Sequence, residues 1–578
     1  MDVYGGNDEE NAELRKLLAE VVRCPQEVCD KTPLIANLQN DDPDNFEIWE
    51  KLVRTAEALE GGINRNSSSQ AITTVRGTYD RFLAKFPLFF GYWKKYADLE
   101  FSIAGTEAAE MVYERGVASI TNSVDLWTNY CSFKTETSHE ADIIRELFER
   151  GAACVGLDFL SHPFWDKYIE FEERMESQDR IFTILGRIIH IPMHQYARYF
   201  EKYRQWAQSR PLTAIAPPGT LTQLQMDIEN EGAGYKAGRS PAEVERELRS
   251  RIDNYHLEIF RRTQNETTKR WTYESEIKRP YFHVTDLDEA QVTNWRKYLD
   301  FEEGEGDYTR TQFLYERCLV TCAQHDEFWL RYARWMLGQP GKEEEVRNIY
   351  QRASCFFVPI ALPQTRLQYA YFEEMTGRVD VAKDIHEAIL VNLPGHVETI
   401  VSLANCTRRH SGLDAAVAVY QSQIESQIDT SAKAALVAEW AKALWKLKGS
   451  TDEARQLFQK NRQFYQQSPE FWTAYLRFEI DQPAIDGSEQ IQQDQIKQVV
   501  DEIMTKGTLP EATVQELVAI YMKYLLDRGT KDAAKEYMNL DREINGPLSV
   551  QKSSRVQTAI DPTKAGAFAN GQVSDIQR

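Results

Sequence analysis

Four times in this chain a tryptophan is followed three residues later by a tyrosine and seven residues later by a glutamate. The copies are Trp93-Tyr96-Glu100, Trp165-Tyr168-Glu172, Trp295-Tyr298-Glu302 and Trp472-Tyr475-Glu479. Looser copies begin at Trp127, with Tyr130 and Phe133, and at Trp329, with Tyr332 and Trp335. Neighbouring tryptophans stand 34 residues apart (93 to 127, 295 to 329) or 38 apart (127 to 165). A fixed period of this size is the mark of stacked helical repeats, none of which buries its apolar face alone. The pattern predicts an all-α chain, an α-solenoid of helix pairs that works as a surface rather than as an active site.

Within each repeat the Trp, the Tyr and the Glu lie at i, i+3 and i+7, one stripe of a 3.6-residue helix. A short polar break follows, here Ala104-Gly105-Thr106, and then a second helix anchored by Ala109, Val112, Tyr113, Gly116 and Ile120. That second helix repeats an aromatic, an acid or amide, and an arginine: Tyr113-Glu114-Arg115, Phe148-Glu149-Arg150, Tyr315-Glu316-Arg317 and Tyr350-Gln351-Arg352, with a looser Phe458-Gln459-Lys460. Small residues at 109 and 116 allow the paired helices to approach closely. His162-Pro163 and Ser468-Pro469 open the helices of Trp165 and Trp472, because proline is tolerated in a first helical turn. A degenerate repeat carries Trp49. The repeat core is expected to be Trp93, Tyr96, Trp127, Trp165, Tyr168, Trp295, Tyr298, Trp329, Tyr332, Trp472 and Tyr475. Each buried tryptophan removes about 200 Å² of mostly apolar surface, roughly 5 kcal/mol before entropy costs.

The period breaks once. Residues 211–238 carry Pro217-Pro218-Gly219 and further glycines, which reads as a linker or an irregular excursion, and a long charged helix is expected from 241 to about 269. From about 546 the chain is rich in Ser, Gln, Gly and Ala without periodicity and is expected to be disordered.

The 578 residues carry 89 acidic and 68 basic side chains, a net charge of −21. A field of that sign repels phosphate backbones, whereas sequence-independent nucleic-acid binding needs clustered cations. RNA contact should therefore be local or run through a partner protein. No run of 18 apolar residues exists, so no membrane span is expected. The acidic first ten residues do not resemble a signal peptide, and the eight scattered cysteines form no CxxC pair, which suits a reduced, intracellular protein.

No constellation for catalysis, cofactor or metal binding stands out. There is no Walker loop, no GxGxxG after a strand, no HExxH and no nucleophile elbow. His190 and His194 are spaced for a metal, but Pro192 lies between them. Cys318 and Cys322 read as packing residues, and Cys24 with Cys29 lacks a second pair. The repeated glutamate lies on a packing face, where a carboxylate persists only if paired; the arginines of the second helix, Arg115 and Arg317, are the expected donors. One segment departs from the acidic background: residues 236–280 hold eleven basic and eight acidic side chains. A solvated helix accounts for this, and the sharper reading is a docking site for RNA or an acidic partner at Arg261, Arg262, Lys269 and Arg270.

The Trp-x-x-Tyr-x-x-x-Glu helix followed by Tyr-Glu-Arg resembles the half-a-tetratricopeptide (HAT) repeat, a resemblance that implies a scaffold in RNA processing. Longer stretches narrow it. Arg279-Pro280-Tyr281-Phe282-His283-Val284, Asn294-Trp295-Arg296-Lys297-Tyr298-Leu299-Asp300-Phe301-Glu302 and Glu327-Phe328-Trp329-Leu330-Arg331-Tyr332-Ala333 are similar to the pre-mRNA-processing factor thirty-nine family, as are Phe89 with Gly91-Tyr92-Trp93-Lys94-Lys95-Tyr96 and His190-Ile191-Pro192. The resemblance covers about 45 to 540 and is strongest at 279–335.

It implies a nuclear, non-catalytic component of the U1 small nuclear ribonucleoprotein acting in 5′ splice-site recognition. Its partners would be U1 proteins including U1C, with any contact to U1 RNA or pre-mRNA indirect or local. It also implies a homodimer, or a heterodimer with a related HAT protein, through the C-terminal array. A terminal repeat leaves an apolar face uncapped, and the helices at 516–526 and 531–540 are expected to offer Leu517, Ile520, Tyr521 and Tyr524 to that partner. The alternatives are a HAT scaffold of the cleavage–polyadenylation machinery and a direct RNA-binding protein using 236–280. The domains expected are an N-terminal segment, 1–40, partly flexible; an N-terminal HAT array, 41–210; a linker with the charged helix, 211–280; a C-terminal HAT array with the dimerisation region, 281–545; and the tail, 546–578.

Overall fold

The computed structural model describes residues 46–232, 240–483, 488–506 and 509–544, and among them every extended regular element is a helix. The expected tail, the 1–40 segment, Cys24 and Cys29 lie outside the described residues. The helices alternate as the period requires. Phe90–Ala104 pairs with Thr106–Ser119, Val124–Thr137 with Ala141–Val155, His162–Arg174 with Gln178–Ile188, Glu289–Glu305 with Tyr308–Thr321, Asp326–Leu337 with Glu343–Arg352, and Pro469–Ile480 follows Thr451–Asn461. Gly105, at φ 93°, caps one helix and starts the next, a backbone conformation that side chains with a Cβ rarely adopt. Ser123 and Ser468 accept from the amides three residues on, at 3.2 and 3.3 Å, and so satisfy otherwise orphaned helix donors.

A ladder of recurring contacts joins six of the first helices to the second helix before each. The tyrosine of each first helix stacks on the aromatic of the preceding second helix. Tyr79–Tyr96, Tyr113–Tyr130, Phe148–Tyr168, Tyr273–Tyr298, Tyr315–Tyr332 and Phe458–Tyr475 have ring centroids 4.6–5.0 Å apart and planes within 14°. The tyrosine hydroxyl then donates to the acid one residue after that aromatic: Tyr130 to Glu114 at 2.8 Å, Tyr168 to Glu149 at 2.9 Å, Tyr298 to Glu274 at 2.9 Å and Tyr332 to Glu316 at 3.0 Å. The same acid receives an arginine from the following second helix. Arg115 reaches Asp80, Arg150 reaches Glu114, Arg187 reaches Glu149 and Arg352 reaches Glu316, all at 2.7–2.9 Å. Each of these guanidiniums lies over the tryptophan of its own repeat, 5.3–5.7 Å from the ring. Four of the repeat indoles, those of Trp93, Trp127, Trp329 and Trp472, donate to the carbonyl six residues back, Trp93 to Pro87 and Trp329 to Ala323 at 2.8 Å. Trp295 Nε1 is buried without a partner. Its helix begins at Glu289, a turn earlier than the others, so the carbonyl six residues back lies within the helix.

The repeated glutamates do not use the arginines expected for them. Glu100, Glu172, Glu302 and Glu479 are all at most 3% exposed. They pair in two-pronged fashion with Arg76, Arg145, Arg270 and Arg455, at 2.6–3.1 Å. Each of these arginines stands three residues before the aromatic of the preceding second helix. Arg115 and Arg317 are taken instead by Asp80 and Glu274. In the repeat of Trp127 the charges are exchanged: Lys134 holds the glutamate's place, Glu110 the arginine's, and they pair at 2.6 Å. In the repeat of Trp329 the place holds Met336, fully buried.

Within the stretch read as a linker, the described residues 211–232 are largely helical. Leu212–Ile215 and Pro218–Gly232 form there, with Pro218 and Gly219 in a first turn, where proline's missing N–H costs nothing. The charged helix, Pro241–Glu274, opens with a Ser240–Glu243 capping box. Its first half packs on Tyr196–Gln208, with Arg204 bonded to Asp253 at 2.6 and 2.9 Å. Its last turn, Arg270-Trp271-Thr272-Tyr273-Glu274, supplies the ladder partners of Glu302 and Tyr298. The end of this helix therefore takes the second-helix place before Glu289–Glu305. The chain divides into two compact units at Val358/Pro359.

Within the first unit, residues 280–288 form a strap without helix. Phe282 packs edge-on to Phe89 at 5.2 Å, and the buried Asp158 carboxylate pairs with Arg317 at 3.0 Å. Burial pushes the Asp158 carboxyl up and the Arg317 charge opposes the shift. The second unit centres on Phe458, Trp472, Tyr475 and Phe478, closed by Glu511–Arg528 and Ala533–Ile544.

Candidate interaction surfaces

The ladder consumes the side chains that made the sequence conspicuous. Trp93, Tyr96, Trp127, Trp165, Tyr168, Trp295, Tyr298, Trp329, Tyr332, Trp472 and Tyr475 are each at most 4% exposed. None offers a face for a ligand to stack on. Burial, then the Glu274 charge, pushes the Tyr298 hydroxyl well above its ordinary range, so it stays a donor.

The four basic candidates separate. Arg270 is buried at 2% exposure and bonded to Glu302 and Glu266, so it is corrected from a surface contact to a ladder residue. Lys269 is held between Glu266 at 3.0 Å and Glu305 at 3.2 Å. Arg261 and Arg262 are exposed. Arg262 lines a cleft of about 740 Å³ with His190, Glu258, Glu305 and Arg310. On its walls four carboxylates, Glu258, Glu266, Glu305 and Asp307, stand against three arginines, which does not favour a phosphate backbone.

The four residues expected at a dimer face are corrected too. Leu517, Tyr521 and Tyr524 are 2%, 0% and 6% exposed, and Ile520 is half-buried. They belong to the second unit's own core, because Ala533–Ile544 folds back over them and Glu536 accepts the Tyr521 hydroxyl at 3.0 Å. The apolar side chains left exposed there are Leu526 and Met538, at 61% and 63%.

His190 and His194 are both exposed; His194 stacks on Trp271, 5.8 Å away at 14°. Cys318 and Cys322 are fully buried, and burial pushes the Cys318 thiol up. Glu374, Cys406 and His410 bring three possible ligand atoms within 4.8 Å of one another. Arg409 already grips both Glu374 oxygens at 2.6 Å, and His410 Nε2 lies 2.9 Å from one. Those contacts, the Arg409 hydrogen bond first, hold the Glu374 carboxyl down at about 2. A guanidinium in that place repels a metal cation, so the group is an ion pair rather than a metal centre. Among the described residues no helix is long and apolar enough to cross a membrane.

Sequence reasoning did not pair the repeated glutamates with the arginines at 76, 145, 270 and 455. Their signal was present: an arginine three residues before the second-helix aromatic, replaced by Glu110 where the glutamate's place holds Lys134. It also missed Trp271, which is 50% exposed although it sits inside the ladder motif.

Two family models match, one described as PRP39 N-terminal HAT repeat over residues 35–205 and one as PRP39 C-terminal HAT repeat over 268–409. The second begins where the long helix becomes a repeat helix. Pre-mRNA-processing factor 39 of Schizosaccharomyces pombe is 51% identical over 527 residues, 89% of this chain and 86% of that protein. The Xenopus laevis protein of the same name is 32% identical over 434 residues, 72% of this chain and 66% of the relative. The U1 small nuclear ribonucleoprotein component PRP42 of Saccharomyces cerevisiae is 23% identical over 321 residues, 53% of this chain and 57% of that protein. Among solved structures, CstF-77 aligns with 79% of this chain and 95% of its own, at a TM-score of 0.43 and 14% identity. With its helix-pair ladder, its two family matches and a relative half identical across most of its length, this chain belongs to the pre-mRNA-processing factor 39 family of HAT-repeat proteins.

Proposed function

We propose that the chain is a non-catalytic scaffold of the U1 small nuclear ribonucleoprotein, acting in the nucleus in 5′ splice-site recognition and early spliceosome assembly. The observation that carries this reading is the 51% identity to a pre-mRNA-processing factor over 89% of the chain. The weaker likeness to a protein named as a U1 component supports U1 in particular. The physical character agrees. A −21 net charge and a ladder that pairs most of its arginines leave few cations for phosphates. Specificity then comes from protein contacts, U1C among them, while RNA contact is indirect or local.

Purification of the tagged full chain from nuclear extract, with sequencing of the co-purifying small RNAs, tests this reading. U1 RNA should be enriched above the other spliceosomal RNAs. Recovery of polyadenylation factors with no such enrichment refutes it in favour of the cleavage–polyadenylation machinery.

The same reading includes a homodimer, or a heterodimer with a related HAT protein, through the C-terminal array. Truncation near 510 is a poor test, because it strips the helices that cover the Trp472 core. Leu526→Glu and Met538→Glu are better placed, being exposed. Sedimentation should show a dimer at micromolar concentration that weakens in the double variant; a monomeric wild-type chain that takes no related HAT protein removes the proposal.

A further inference from the structure

Beside the ladder lies an exposed aromatic surface to which the repeat architecture assigns no role. Trp271 is half exposed and stacks on the exposed His194; the ring of the buried Phe159 is 6.0 Å from the indole. The ring of His162 stands 5.9 Å from His194 and carries the surface into a cleft of about 270 Å³ between the strap and the turns of the first repeats. Leu160 and Tyr281, 41% and 46% exposed, stand on that cleft's walls with Val124 and Pro280. Singly exposed apolar side chains are ordinary, but a contiguous set that lines a cleft marks a contact surface.

The charges in the cleft point to the occupant. Asp158 is already held by Arg317 and by the Leu160 amide at 2.7 Å, and Arg317 is spent on Asp158 and Glu274. Asp125, on the cleft's lining in the first turn of Val124–Thr137, has no cation partner among the described residues, and partial burial pushes its carboxyl up. His162 Nδ1 is buried without a hydrogen bond. Of the cations beside this surface, Arg198 is paired with Asp166 at 2.7 Å, whereas Arg279 donates only to the neutral hydroxyl and carbonyl of Thr285 at 3.1 and 3.0 Å. The chain as a whole carries −21. A cationic side chain would find a carboxylate that no described cation neutralises and an exposed indole face, which favours it over a phosphate backbone.

We propose that this surface, from Trp271 through His194 and His162 to the cleft at Leu160 and Tyr281, docks an arginine-containing apolar peptide segment of a partner protein. Apolar residues of the segment fill the cleft. An arginine pairs with Asp125 or lies over Trp271, a stacking that suits a planar guanidinium better than an ammonium. The inference does not depend on which ribonucleoprotein the chain joins.

The test uses the full chain against bead-bound peptide libraries with random apolar and polar flanks and a central residue fixed as Arg, Lys or Glu. A labelled single-stranded oligouridine serves as the nucleic-acid arm. The Arg library should be retained about tenfold over the Glu library by the wild-type chain, and above the Lys library. Trp271→Ala and Asp125→Asn should each lower the preference to about twofold, with melting temperature unchanged. Leu160→Ser, at another exposed residue of the cleft, provides a third variant should Trp271→Ala fail to fold. General attraction to an acidic protein would survive the loss of one carboxylate among 89. A preference that persists in Asp125→Asn and Leu160→Ser therefore overturns the proposal. Oligouridine binding lost in Trp271→Ala without peptide preference overturns it in favour of RNA.

Discussion

Replacing Glu302 by glutamine tests the ladder where it is driest. Glu302 and Arg270 each keep only 2% of their side-chain surface, and they join through two bonds of 2.6 and 2.9 Å. Glutamine preserves the shape, removes the charge and turns one acceptor into a donor facing a guanidinium. Breaking a buried pair by removing one partner costs about 3–5 kcal/mol, because the other charge stays behind. Glu266 still holds Arg270, at 2.7 Å, which sets the expectation at the low end, about 3 kcal/mol. That is roughly a hundredfold in the unfolding equilibrium. Replacing both residues by methionine should restore stability to within about 1 kcal/mol, since a well-packed apolar pair loses no buried charge. The assay is equilibrium urea unfolding followed by tryptophan fluorescence, with hydrogen exchange on the helix Glu289–Glu305, because stacked repeats can open piecewise. An unchanged Glu302→Gln protein, or single effects that simply add in the double variant, would refute a paired role for this glutamate.

Three further outcomes are expected. Lys134→Glu should cost about 2 kcal/mol or more by setting two carboxylates face to face, and adding Glu110→Arg should recover most of it; urea midpoints of the three proteins decide. Gly151→Ala should lose about 1 kcal/mol net, because the new Cβ would stand 2.6 Å from the Phe164 ring, whereas Gly77→Ala, with nothing within 4 Å, should gain about 0.5–1 kcal/mol; thermal unfolding compares them. Glu374 gives the acid limb. Its folded carboxyl is depressed from 4.5 to about 2, so its contribution is complete above about 4.5 and is lost as pH falls toward 2. The loss should be about 2–3 kcal/mol, and Glu374→Gln should flatten stability against pH over that window.

The sequence by itself determined the architecture. A Trp, a Tyr and a Glu at helical spacing, recurring every 34 to 38 residues, admit only helices that stack, and the core residues followed directly from that period. Tertiary structure decided the pairings. Whether Glu302 meets Arg317 or Arg270 depends on which helix lies across from it, and a stripe of residues on one helix carries no information about its neighbour's register. The same reason hid the place of the charged helix. Eleven cations between 236 and 280 look like a free surface until the last turn, with Arg270, Tyr273 and Glu274, is seen against Glu302 and Tyr298. Leu517, Tyr521 and Tyr524 form an apolar stripe whether a partner or the chain's own last helix covers it; here the last helix does. Trp271 shows the reverse case. It sits inside a ladder motif, yet its own helical phase turns it out to solvent, and phase relative to a neighbouring helix exists only once the helices have packed.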